Sequence, residues 1–270
     1  MYLSVQGTVI EESEFFINPF SDALMYGAGI FETLRFDDGI IHFAEEHLSR
    51  LRTSSQKLGM NVPYSDDRIV AYLQDLIGKQ KIVSGVGKIN LMCEREDALL
   101  IITTRENHYT EAQYQKGFRI KLSEYKRNEY SKLVGIKSDN YYENILEFRS
   151  AKREGWDEVL FLNTGNRLAE CSMSNLFFVR SGVLYTPSDD CGILNGILRT
   201  KVLALATEIG MPVRIGQYAM ENLMEAEESF LTNSVMEIMP VAGVNEKIFG
   251  QIPGTITAEL REQFDKFVKR

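Results

Sequence analysis

The order in which strand-like and helix-like stretches follow one another constrains this chain most. Residues 28–36 (AGIFETLRF) and 40–43 (IIHF) flank Asp37-Asp38-Gly39, a turn that predicts a hairpin. A helix is expected directly after it, over 44–58, with Leu48, Leu51, Ser55 and Leu58 on one stripe and Gly59 at its end. A second helix is expected over 66–79, with Ile69, Leu73, Leu76 and Ile77 inward. Two short strands breaking at Gly7 precede the hairpin, and strands at 87–93 and 98–104 follow, joined by Glu94-Arg95-Glu96-Asp97. Polarity rises over 105–116, which places a linker at 108–116 between a small N-terminal α/β domain, 1–107, and a larger C-terminal one, 117–270. The second part reads as strands at 117–123, 157–162, 167–171, 175–180, 212–216 and near 228–233, with helices near 141–153, 197–209, 220–227 and 255–269. Strands and helices do not alternate strictly, so the pattern is α+β in two unequal domains and not a doubly wound sheet.

Charge narrows the partners. The formal net charge is −8, and there is no long Lys/Arg run, so nucleic acid and anionic membrane are disfavoured. A small anionic substrate can still bind where local groups override the global field. No window approaches 18 apolar residues, and the N-terminus has no basic, apolar leader pattern; a cytoplasmic chain is expected. Cys93, Cys171 and Cys191 fit no zinc spacing and no disulfide framework.

Five features carry chemistry, each unremarkable alone. Lys137 follows an apolar run in Gly135-Ile136-Lys137-Ser138-Asp139-Asn140-Tyr141. A lone lysine is most often a solvated charge, but a buried one loses its proton readily, as a Schiff-base nucleophile must. Glu170 closes one apolar strand before Cys171-Ser172-Met173-Ser174 leads into another. A strand-end carboxylate is commonly in water; aimed into a pocket, it would keep a pyridine nitrogen protonated, and the ring would then draw electrons. Arg50 adjoins the apolar stripe of Leu48 and Leu51 and could turn inward to hold phosphate by forked bonds. Gly196-Ile197-Leu198 opens a helix whose N–H groups suit a phosphate, though an ordinary glycine-led helix start reads the same way. Thr232-Asn233-Ser234, a short polar turn, could add a hydroxyl and further N–H groups.

Taken in order, these blocks resemble the class IV aminotransferases, the fold type IV pyridoxal-phosphate enzymes. The resemblance rests on Tyr26-Gly27-Ala28-Gly29-Ile30-Phe31-Glu32-Thr33-Leu34-Arg35, His47-Leu48-Ser49-Arg50-Leu51, Lys137-Ser138-Asp139-Asn140-Tyr141 and Glu170-Cys171-Ser172-Met173-Ser174-Asn175-Leu176-Phe177. It covers about residues 3–245, and the separation of 33 residues between Lys137 and Glu170 fits the family. It implies a two-domain α+β fold like that of D-amino acid aminotransferases, with pyridoxal 5'-phosphate as cofactor. Lys137 would carry the cofactor as a Schiff base and move protons, and Glu170 would pair with the pyridine nitrogen. Arg50, the backbone of Ile197 and Leu198, and Ser234 would hold the phosphate. Tyr141 matches a position that touches the ring hydroxyl in some members. The resemblance also implies a homodimer, with each active site at the domain interface and close to the partner subunit. Leu198 stands where the family often has threonine, so one hydroxyl contact to phosphate is missing.

Members differ in how they hold substrate carboxylates. Branched-chain enzymes place an arginine near the position of Asn90. D-amino acid enzymes place a tyrosine at Phe31 and an arginine near Cys93. Neither trap is present, although Arg95 or Arg105 could substitute, and Phe31 would line the substrate. Cys191-Gly192-Ile193-Leu194-Asn195-Gly196-Ile197 and the stretch from Phe230 to Val241 resemble the family's 4-amino-4-deoxychorismate lyases. The expected reaction is therefore release of p-aminobenzoate and pyruvate in folate biosynthesis. The alternative is transamination of D-amino or branched-chain amino acids, or of amines.

Overall fold

The computed structural model describes residues 1–94 and 97–268. The chain packs as two units, one of Met1–His108 with Ile136–Tyr141 and the other of Tyr109–Gly135 with Tyr142–Arg270.

The first unit is built from β1 (Tyr2–Val5), β2 (Thr8–Glu11), α1 (Asp22–Tyr26), β3 (Gly29–Asp37), β4 (Ile40–Ile41), α2 (Ala44–Lys57), α3 (Asp66–Gln80), β5 (Ser84–Glu94) and β6 (Asp97–Glu106). Its six strands run in the order β2-β1-β6-β5-β3-β4, every neighbouring pair antiparallel. The period of two along β3 buries Ile30, Leu34 and Phe36 on one face. Leu48 and Leu51 of α2 and Ile69, Leu73, Leu76 and Ile77 of α3 close over that face, joined by Ile89, Leu91, Leu100 and Ile102. Each such side chain contributes about 1.5–3 kcal/mol by leaving water. Leu58 does not join the stripe: it is the residue that ends α2 and lies exposed, while Ser55 is buried as expected, with Ser54 beside it. Helix α1 is too short for a periodic signal; Ser21 caps its start and Gly27, at φ 66°, ends it.

Ile136–Tyr141, expected within the C-terminal part, pack with this unit. The reason is a vacant strand edge. On the side of β3 away from β5, β4 pairs only with Phe36 and Asp37. The other end of that edge takes up the later segment: Phe31 N–H donates to Lys137 O at 2.9 Å, Asp139 N–H donates to Gly29 O at 2.9 Å, and Ile30 bridges Ser138.

The second unit holds α4 (Glu111–Lys116), β7 (Phe118–Arg127), α5 (Tyr142–Arg153), β8 (Glu158–Asn163), β9 (Leu168–Cys171), β10 (Asn175–Arg180), β11 (Val183–Pro187), α6 (Ile197–Glu208), β12 (Val213–Gly216), α7 (Met220–Met224), β13 (Glu228–Asn233), β14 (Glu237–Val244), β15 (Lys247–Ile248) and α8 (Thr255–Val268). The stretch read as a linker, 108–116, contains α4, which Thr110 and Gln113 cap reciprocally. The strands form a nine-stranded mixed sheet, β12-β11-β10-β13-β14-β7-β8-β9, with β15 added to β14. Three neighbouring pairs are parallel: β11 with β12, β14 with β7, and β7 with β8. Strands β11, β14 and β15 were not expected from the sequence. In β14, Pro240 and Gly243 read as breaks, yet Pro240 sits opposite Phe230 and an irregularity between Val241 and Gly243 absorbs the mismatch. Helices α6 and α8 lie against β13. The core gathers Leu160, Leu176, Phe178, Leu231, Met239 and Val241.

Candidate active site

In the first unit, the strand pairing of the 137–139 segment with β3 brings Lys137 to Phe31 and Tyr141. The Lys137 Nζ lies 4.4 Å from the centroid of Phe31 and 5.5 Å from that of Tyr141. The two rings meet edge to face at 5.6 Å. The amine is half-buried against π-faces, which hold it by electrostatic attraction and restrict its rotamers.

Glu32 lies beside Phe31 but points to the helix-covered face, at a position where strand parity calls for an apolar residue. Its carboxylate is buried and takes two bonds from Arg50, Nε to Oε1 and Nη2 to Oε2, each 2.7 Å. His47 lies 2.7 Å from Glu32 Oε2 through Nδ1. Burial alone would raise the Glu32 pKa; the charge and hydrogen bonds of Arg50, then the hydrogen bond of His47, outweigh it and bring the carboxyl down to about 2. Burial pushes His47 below its ordinary value, which keeps it neutral at pH 7, with Nδ1–H donating to Glu32. Its Nε2 is then a buried acceptor without a hydrogen-bond partner. The forked edge of Arg50 expected to face phosphate is thus committed to Glu32.

This arrangement predicts an acid window. A carboxyl lowered from 4.5 to about 2 stabilises the fold above pH 4.5, and that stability is lost as pH falls through 2. The contribution is about 3 kcal/mol. Urea unfolding of wild type and Glu32→Gln at pH 7 and pH 3 is expected to show a gap that narrows with acid, as only the wild type carries this linkage. A constant gap would contradict the pairing.

In the second unit, Glu170 is the buried residue next to the end of β9. It accepts from Leu194 N at 3.1 Å and from Asn175 Nδ2 at 3.4 Å, and Arg127 Nη2 stands 3.3 Å from Oε1. Arg127 also donates to Asn144 Oδ1 at 3.3 Å and lies 4.9 Å over Phe161. Asn175 organises this end of the sheet. It donates to Leu194 O at 2.8 Å and sits in register with Thr232, so the 194–198 loop and the turn after β13 are at the same strand ends. A Cβ on Gly196 would run into Asn175 Oδ1, which fixes glycine at the helix start. Helix α6 begins there without a side-chain cap and with no acidic residue in its first turn. Ile197 and Leu198 are its first two residues, with buried side chains. Ser234 lies on the β13–β14 turn, half-buried. The further N–H groups expected from that turn are used internally, since Val235 N and Met236 N donate to Asn233 Oδ1 at 2.9 and 2.8 Å. Glu158, wholly buried, accepts from Ser172 Oγ, Met173 N and Ser174 Oγ and so pins the turn that follows Glu170.

Of the substitutes expected for the missing arginine traps, Arg95 lies outside the described residues. Arg105 is exposed at the end of β6, with Nη1 donating to Glu106 O at 3.1 Å. It pairs in register with Val86, four positions along β5 from the residue that faces Phe31.

The Amino-transferase class IV family profile matches residues 29–244. The chain belongs to the class IV aminotransferase family. Within it, an aminodeoxychorismate lyase of Bacillus subtilis (strain 168) is 28% identical over 275 residues, covering 98% of this chain and 94% of the relative. A D-alanine aminotransferase of Listeria monocytogenes serotype 4b is also 28% identical, over 98% of this chain and 95% of its own. Among solved structures, an Escherichia coli branched-chain amino acid aminotransferase superposes with a TM-score of 0.92 at 25% identity, covering 99% and 94% of the two chains. A candidate 4-amino-4-deoxychorismate lyase of Legionella pneumophila gives 0.88 at 28% identity, covering 95% and 97%.

Class IV members use pyridoxal phosphate, and the residues of this chain fit that group. The uncapped α6 start suits its phosphate, and the orphaned hydroxyl of Thr232 lies beside that strand end. Within the same unit, the buried Glu170 is of the sign that a protonated pyridine requires. Sequence reasoning missed Glu32 and His47, although a charge at a core-facing parity of β3 was a usable signal. It also missed Arg127 and Asn175, whose contacts with Glu170 and with Leu194 O respectively join residues distant in sequence and leave no local pattern.

Proposed function

We propose that this chain is a pyridoxal-phosphate-dependent 4-amino-4-deoxychorismate lyase that releases p-aminobenzoate and pyruvate. The observation that carries the reading is Asn90. It stands where the branched-chain enzymes are expected to carry an arginine, and its amide is committed to the protein: Nδ2 donates to Ile30 O at 3.0 Å and to Asp139 Oδ2 at 2.8 Å. No forked anion trap can form there. Cys93, near the second expected arginine, offers a thiol whose pKa burial raises, which is no anion trap either. The match to the Bacillus subtilis lyase over 98% of this chain agrees with the reading.

Lys137 would link to the cofactor, with Arg50, the Ile197 and Leu198 N–H groups and Ser234 on the phosphate, and with Tyr141 near the ring. When bound, the cofactor draws electrons from the carbon that bears the substrate amine. Glu170 would hold the pyridine proton that makes this withdrawal strong. Arg127 and Leu194 N–H would hold the Glu170 carboxylate in place. Lys137 Nζ would take the ring proton at the amine-bearing carbon. The carbon–oxygen bond to the neighbouring enolpyruvyl group then breaks, its electrons leave with the enol, and the enol takes a proton to become pyruvate. The ring left behind is aromatic, which makes the step irreversible and removes any need for a keto-acid co-substrate.

The same reading makes the chain a cytoplasmic homodimer. No helix among the described residues is long and apolar enough to cross a membrane. Phe16, Phe20, Leu24, Met25 and Tyr26 are exposed close together in sequence, apolar side chains of the kind a second copy would cover. A mass of 30.8 kDa in solution, that of a single chain, would remove this part of the reading. The activity itself is tested by offering aminodeoxychorismate and following p-aminobenzoate and pyruvate together. Equal release of both is the expected result; glutamate formation from D-alanine and 2-oxoglutarate without p-aminobenzoate would replace the lyase by a transaminase.

A further inference from the structure

Lys88 plays no part in the site as described above, yet it stands in it. It lies on β5 opposite Thr33 of β3, and two residues before Asn90, which faces Phe31. Strand alternation therefore puts Lys88 with Phe31, Thr33 and Asn90 on the face of the sheet that α2 and α3 leave uncovered. Its ammonium lies 4.4 Å from the centroid of Phe31, the same distance as that of Lys137. The two ammonium groups thus share one ring and cannot be farther apart than twice that distance.

Among the described residues, three arginines of this unit are matched by carboxylates. Arg35 is paired with Asp37, Arg50 with Glu32, and Arg52 with Asp66. Among the described residues, none forms an ion pair with Lys88, and the Asp139 carboxylate beside this face accepts from Asn90. Lys88 is half-buried, so water compensates its charge only in part. An anion lying over this ring would meet the positive charge of Lys88 at short range.

We propose that Lys88 binds the substrate's carboxylate, serving in place of the arginine traps that this chain lacks. This rests on the reading of Lys137 as the reacting amine. The ligand class is a primary amine that carries a carboxylate within the span between the two lysines. A lysine on a four-carbon stem reaches as a point charge and does not impose the forked geometry of arginine, which suits a carboxylate displaced from the reacting carbon. Lys88 contributes binding common to ground state and transition state, so its loss raises KM and leaves kcat nearly unchanged.

The test uses holoenzyme of the wild type, Lys88→Met and Lys88→Arg. Benzoate and benzamide, which differ in charge but hardly in shape, are titrated against the absorbance of the bound cofactor. Wild type is expected to prefer benzoate, Lys88→Met to lose roughly 10- to 100-fold of that preference, and Lys88→Arg to keep most of it. KM for the amine substrate rises in Lys88→Met by a similar factor. A wild type indifferent to charge, or a Lys88→Met variant with the wild-type preference and KM, would overturn the proposal. The lyase reading fails separately: if D-alanine is turned over and aminodeoxychorismate is not, the benzoate comparison still decides the role of Lys88.

Discussion

Lys137→Ala is expected to lower single-turnover release of p-aminobenzoate by roughly four orders of magnitude or more, because one side chain supplies both the cofactor link and the proton transfer. The fold should survive. What ties this segment to β3 is its backbone, through Lys137 O and Asp139 N, and an alanine leaves those bonds in place. The side chain is half-buried and packs on Phe31 and Tyr141, so truncation is expected to cost about 1 kcal/mol of stability. The absorbance of the cofactor bound through lysine should disappear, while circular dichroism and the unfolding midpoint stay close to wild type. Turnover within tenfold of wild type would remove Lys137 from the chemistry.

Glu170→Gln is the second large effect. The substitution keeps the shape of the side chain and an acceptor for Leu194 N, but it removes the charge that would hold the pyridine proton. A rate loss of roughly 10²- to 10³-fold is expected, with cofactor still bound, by analogy with removal of one preorganised electrostatic contact. Stability should also fall by about 1–3 kcal/mol, because Arg127 loses the carboxylate 3.3 Å from its Nη2 while its Nε and Nη2 are already buried without hydrogen bonds. The two readouts separate the roles. A stability loss with an unchanged single-turnover rate would make Glu170 a structural partner of Arg127 and nothing more.

Much of this molecule was legible in its residues. The hairpin around Gly39, the helices over 44–57 and 66–80, and the strand pair on either side of 94–97 all follow from local period and turn chemistry. The lysine and glutamate blocks carried the likeness to the family whose profile matches the chain. What escaped has a common physical character. Strand β14 carries Pro240 and Gly243, which oppose strand formation locally and are accommodated by pairing on both sides. The segment around Lys137 joins β3 because β4 leaves part of that edge open, a fact about residues more than a hundred positions away. Arg127, Asn175 and Lys88 acquire meaning only from neighbours brought in by sheet register. Glu32 and Glu158 are different. Both are charges within apolar, alternating or continuous strand runs, and a charge in such a place needs buried partners, here Arg50 and the Ser172–Ser174 turn.

The most direct test of the central claim is a paired assay on one preparation of holoenzyme. Aminodeoxychorismate is supplied alone, with p-aminobenzoate and pyruvate measured, and in parallel D-alanine and L-leucine are supplied with 2-oxoglutarate, with glutamate measured. Equimolar p-aminobenzoate and pyruvate over many turnovers without any keto acid, and negligible glutamate, are expected. Sustained glutamate production with no p-aminobenzoate would contradict that claim and make this chain one of the family's transaminases.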